Sequence, residues 1–164
     1  MGLALALMPK GRASTNQTLW GAIGWTTPAA FGAAVACRGR RVVLVTGEGS
    51  RQLSVQEISQ FGRRGLKQVV IVLNNSAYLI GPLLCKNPDL VYNDVASWNY
   101  SGIPHALSCK GWYTTRVATC GELDDALKAA GQGKAGVYIE VVTDKYAASP
   151  LSVTHESVAS LYRS

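Results

Sequence analysis

Charge is scarce in this chain. Charged residues make up 16% of the 164 positions, with ten acids against sixteen lysines and arginines. The +6 surplus could draw an anionic ligand or a nucleic acid. The basic residues are scattered, however: Arg38, Arg40 and Arg41, then Arg63, Arg64 and Lys67. They form no dense run and have no interleaved aromatics, so a nucleic-acid surface is not expected. The four cysteines, Cys37, Cys85, Cys109 and Cys120, are widely and irregularly spaced. Without a C-x-x-C pair they suggest neither zinc nor a disulfide framework, and they suit the reduced thiols of a cytosolic protein. The two histidines, His105 and His155, suggest no role. Long apolar runs are also missing. The opening "MGLALALMPKGR" is too short for a signal peptide or a membrane span. No membrane association is expected, and a cytoplasmic location is.

What is present is a globular composition, 48% apolar, at a length that suits one domain over residues 1–164. Leu3–Leu7 reads as a possible first strand. Thr27, followed by Pro28, can cap the small-residue helix "PAAFGAAVAC". Arg41–Thr46 is a β-branched run of buried-strand length. Ser54 and Glu57 match a capping box, opening a helix with Val55, Ile58 and Phe61 on one face that ends near Gly65. Val69–Leu73 is a second buried strand and Tyr113–Ala118 a weaker third. Thr119 and Glu122 form another capping-box pattern before a helix that Gly131 closes. Val137–Val142 is a last strand and His155–Tyr162 a terminal helix. Short apolar strands alternating with helices predict an α/β fold, a parallel sheet with helices on both faces.

Ligands of such sheets sit beyond the carboxyl ends of the strands. Two of those ends are polar: "GEGS", Gly47 to Ser50, and "NNSAY", Asn74 to Tyr78. If their strands are neighbours, Glu48 and Asn75 face one crevice. A carboxylate and an amide oxygen are hard ligands suited to Mg²⁺ or Ca²⁺. Gly47, Gly49 and Ser50 would then offer backbone N–H groups, and Ser50 a hydroxyl, to a diphosphate. Two plain turns that bind nothing are the alternative. A dinucleotide site fits poorly, because Gln52 stands where a third glycine belongs and no acid ends the next strand.

Asn74-Asn75 follow the glycine turn by about two dozen positions, as N-N follows G-D-G in the thiamine diphosphate motif. With "LWGAIGWTTPAAFGAAVA", "QLSVQEIS", "VLNN", "YNDVASWNYSGIPHALS" and "YIEVV", the chain resembles the C-terminal, diphosphate-binding domain of thiamine diphosphate-dependent 2-keto acid decarboxylases. The indolepyruvate, phenylpyruvate and pyruvate decarboxylases are the nearest in pattern. The resemblance implies thiamine diphosphate and Mg²⁺ as cofactors, with Glu48, Asn75 and the backbone carbonyl of Ala77 as metal ligands. It puts Gly21 against the aminopyrimidine ring, Ile23 beneath the bent cofactor and Ile80 in the same pocket. Core packing is the alternative for Ile23 and Ile80. The resemblance also implies a partner: a pyrimidine-binding domain on another chain, or in a lost part of the gene, within an oligomer.

Four departures from the family pattern stand out. Glu48 replaces the usual aspartate. Gly81 takes the place of the catalytic glutamate, so no catalytic residue is assigned and this chain alone is expected to be inactive. Ala77 replaces a glycine, which would be strained if the position needs a positive φ. By the same resemblance the chain is expected to begin later than the family's domain, truncated at its N-terminus, and to lack the pyrimidine-binding and middle domains. The readings that follow are a cofactor-binding piece of a decarboxylase, or a degenerate relative with a role in assembly.

Overall fold

The computed structural model describes residues 10–17, 19–78 and 90–147. Four parallel strands form one sheet: β1 (Val43–Gly47), β2 (Val69–Asn74), β3 (Tyr113–Val117) and β4 (Val137–Val142), in the order β1-β2-β4-β3. The helices are α1 (Thr26–Ala36), α2 (Glu48–Gln52), α3 (Ile58–Arg63), α4 (Ile103–Ala106) and α5 (Cys120–Gly131). Leu3–Leu7 and His155–Tyr162 lie outside the described residues.

Both faces of the sheet are covered, which is why the strands read as apolar runs rather than alternating ones. On one face Leu44, Val70, Val72 and Tyr138 pack against Ala30 and Ala34 of α1 and Ile58 and Phe61 of α3. Phe61 is fully buried, with Phe31 set edge-on at 5.4 Å between ring centroids. Burying such a side chain contributes about 1.5–3 kcal/mol. On the other face Val69, Val117, Val137 and Ile139 meet Ala126 and Ala130 of α5. That helix begins with the capping box read from the sequence: the Thr119 hydroxyl accepts from Glu122 N–H, and the Glu122 carboxylate accepts from Thr119 N–H.

Two cap assignments need correction. Helix α1 begins at Thr26, so Thr27 lies within it, buried, and its hydroxyl accepts from Arg51 rather than capping. The Ser54–Glu57 box does not form. The Ser54 hydroxyl donates to Gly24 O at 2.7 Å, and a short 3₁₀ turn (Val55–Glu57) precedes α3. Glu57 N–H, which a capping box would direct to that hydroxyl, donates instead to the Ser54 carbonyl at 3.2 Å.

The register sets the site. Gly47 lies opposite Leu73 in the β1–β2 pair. Glu48 and Asn74-Asn75 therefore leave the sheet side by side at its carboxyl edge.

Candidate functional site

Glu48 opens α2 immediately after β1 and is 2% exposed. Its Oε1 accepts from Ala77 N–H at 3.0 Å, joining the two polar loops. Burial pushes the Glu48 carboxyl above the ordinary glutamate range. The backbone N–H groups of Glu48, Ala77, Asn75 and Ser76 pull in the opposite direction without cancelling that rise. Asn75 donates through Nδ2 to Lys145 O at 2.9 Å. The donor end of the amide is thereby engaged, and its oxygen is the end left for a cation.

Ala77 does not have a positive φ. The left-handed residue is its neighbour Ser76, at φ 61°, so the alanine introduces no strain of that kind. Ala77 instead forms an isolated antiparallel bridge with Asp94. Tyr78 N–H donates to Asn93 O at 2.9 Å, and the Tyr78 ring lies over Gly49, where a Cβ would meet it at 2.7 Å. A close approach thus explains this glycine. A Cβ on Gly47 would meet nothing within 4 Å, so the strand end is open.

The loop before α1 is fastened to the same place. Ser50 Oγ accepts from Gly24 N–H at 2.9 Å, leaving the hydroxyl proton to donate. Gly24 has φ +86°, and Gly21, at φ +58°, is exposed. Ile23 is 52% exposed, which removes core packing as its explanation. Gly21, Ile23, Gly47, Glu48, Gly49, Ser50, Asn75 and Ala77 thus belong to three connected segments. Ile80 and Gly81 lie outside the described residues.

Sequence reasoning missed two buried charges here. Arg51, on α2, is fully buried. It donates through Nη1 to Thr27 and through Nε to the Tyr138 hydroxyl at 3.2 Å, and its Nη2 has no partner among the described residues. Nothing in "GSRQ" distinguishes it from a solvent-facing helical arginine. Glu140 is 2% exposed within β4, and there the signal was visible: a carboxylate interrupting the apolar run "VYIEVV".

The donor set suits a hard cation. It offers one carboxylate whose burial leaves its charge short of compensation, one amide oxygen and the neighbouring backbone. Among the described residues no group of three or more histidines, cysteines or acids is placed to hold a metal ion.

The family described as "Thiamine pyrophosphate enzyme, C-terminal TPP binding domain" matches residues 2–141. The chain belongs to that family. An alpha-keto-acid decarboxylase of Mycolicibacterium paratuberculosis is 44% identical over 142 residues, covering 86% of this chain and 25% of that protein. One from Mycobacterium ulcerans is 42% identical over 151 residues, covering 92% of this chain and 26% of that protein. The crystal structure of benzoylformate decarboxylase from Polynucleobacter necessarius matches with a TM-score of 0.65 at 28% identity, over 80% of this chain and 25% of that one. The thiamine pyrophosphate-binding domain described here thus spans about a quarter of the length of the curated relatives it matches. Its parallel sheet with flanking helices is the fold of thiamine diphosphate enzymes. Among its described residues no helix is long and apolar enough to cross a membrane.

Proposed function

We propose that the chain is the Mg²⁺–thiamine diphosphate-binding domain of a non-oxidative 2-keto acid decarboxylase, working with a pyrimidine-binding partner domain. The observation that carries this reading is the Glu48 carboxylate meeting the Asn75–Ala77 turn across two in-register strand ends. Glu48, Asn75 and the Ala77 carbonyl are the proposed metal ligands. Gly47, Gly49 and Ser50 face the diphosphate, and Gly21 and Ile23 the ring system. Thiamine diphosphate supplies the electron sink on which a 2-keto acid loses CO₂. This chain's part is to hold the diphosphate through a cation and to present the ring system from the 21–24 loop. Leu19 and Trp20, 84% and 82% exposed beside that loop, form an apolar surface suited to a partner domain. Residues 1–164 constitute a single domain in this reading, and the protein is cytoplasmic.

A second reading rests on Gly81, which can neither transfer a proton nor accept one. In it the chain keeps the fold and the cofactor site for assembly alone. The two readings separate in a CO₂-release assay with pyruvate, phenylpyruvate and indolepyruvate. The chain would be joined to the pyrimidine-binding and middle domains of a mycobacterial relative. Turnover by the unaltered chimera supports the first reading; a silent chimera whose turnover Gly81→Glu with Glu48→Asp restores marks a decayed enzyme site. Continued silence in the double variant favours the assembly role.

A further inference from the structure

Glu140 is a buried carboxylate that the proposed site does not use directly. Its Oε1 accepts from Asn74 Nδ2 at 2.8 Å, and its Oε2 accepts from Ser101 N–H at 3.2 Å. Arg116 Nε, from the neighbouring strand β3, lies 3.5 Å from Oε1, with its side chain 60% exposed. Asn74, held by that bond, turns its own Oδ1 to accept from Ser76 N–H at 3.2 Å. Ser76 has a left-handed backbone at φ 61°, a conformation that a non-glycine residue keeps only when its surroundings impose it. The turn is also held on its far side, where Ser76 O accepts from Val95 N–H at 3.3 Å. Asn75 and Ala77 flank Ser76. A continuous relay thus runs from Glu140 through Asn74 to the turn that bears two of the three proposed ligands.

We infer that Glu140 is a positioning residue for the divalent-cation ligands. By fixing Asn74 it keeps the Ser76 turn left-handed, which sets Asn75 and Ala77 opposite Glu48. The inference rests on the cation reading above. Removing a group that orients metal ligands typically weakens metal binding by about 10–100-fold.

The test is a double-mutant cycle in the full 164-residue chain. Glu140→Gln leaves one oxygen for two donors, Asn74 Nδ2 and Ser101 N–H. Asn74→Asp sets two carboxylates face to face while retaining an acceptor for Ser76 N–H. The double variant restores one hydrogen bond with its polarity reversed: the introduced amide donates to the introduced carboxylate, and its oxygen faces Ser101 N–H. Two readouts apply: Mn²⁺ uptake, from the electron paramagnetic resonance signal of the free ion, and amide hydrogen exchange across residues 74–78. Each single variant should weaken Mn²⁺ binding about 10-fold or more and speed exchange in the turn. The double variant should recover both to within about three-fold. Single variants indistinguishable from wild type in both readouts, or a double variant no better than the singles, would overturn the inference. If the unaltered chain takes up no Mn²⁺, the cation reading fails by itself. Exchange then decides alone: faster exchange in the singles and recovery in the double uphold the role of Glu140 in holding the turn, and their absence refutes it.

Discussion

Burial lifts the Glu48 carboxyl above the ordinary glutamate range, against four backbone N–H groups that favour its charged form. The folded chain therefore binds a proton at Glu48 more tightly than the unfolded chain does. Its contribution to stability is complete below the unfolded pKa and is lost as pH rises through the raised folded value. Glu48→Gln removes that dependence while keeping a similar shape. In cation-free buffer, urea unfolding at a series of pH values should show the variant gaining on wild type from the ordinary glutamate range upward. A difference that stays constant with pH would mean the burial is not felt. The two polar strand ends that the structure brings together, at Glu48 and at Asn75, stood out in the sequence because glycines and paired asparagines are unusual after apolar runs. Arg51 was not, because its burial comes from contacts with Thr27 and Tyr138 that are distant in sequence.

At the scale of elements, α3 meets the segment after α4 through a glycine. A Cβ on Gly62 would lie 2.7 Å from Cys109 Sγ and 3.0 Å from Cys109 Cα. Alanine in a helix ordinarily gains about 1 kcal/mol over glycine. Here backbone must shift to admit it, at about 1–3 kcal/mol. Gly62→Ala should therefore lower the urea midpoint; a raised midpoint would show that α3 can slide at small cost. The strands were legible to within two residues at each end, since β-branched runs of five or six leave little choice between sheet faces. Of the two capping boxes, the exposed one at Thr119 formed, having no tertiary competitor. The Ser54 box did not: its hydroxyl is held in a tertiary bond to Gly24 O, and Glu57 N–H donates to the Ser54 carbonyl. The neighbouring of β1 and β2 could only be supposed from the sequence. Strand order depends on long-range packing that no local pattern encodes.

For the whole molecule, the proposed function has the exposed Leu19 and Trp20 meet a partner domain. Trp20 should move from water to an apolar contact when a pyrimidine-binding domain docks. Its fluorescence emission should then shift to the blue, and Trp20→Phe should remove most of that shift; an unshifted spectrum on complex formation would place the partner elsewhere. The central claim is that two strand-end turns clamp a diphosphate through one divalent cation, and calorimetry tests it most directly. Mg²⁺–thiamine diphosphate would be titrated into this chain mixed with the pyrimidine-binding domain of a mycobacterial relative. Saturable heat is expected with the unaltered chain and none with Glu48→Ala or Asn75→Ala, both variants keeping their unfolding transition. Equal heat from the unaltered chain and both variants would contradict that claim.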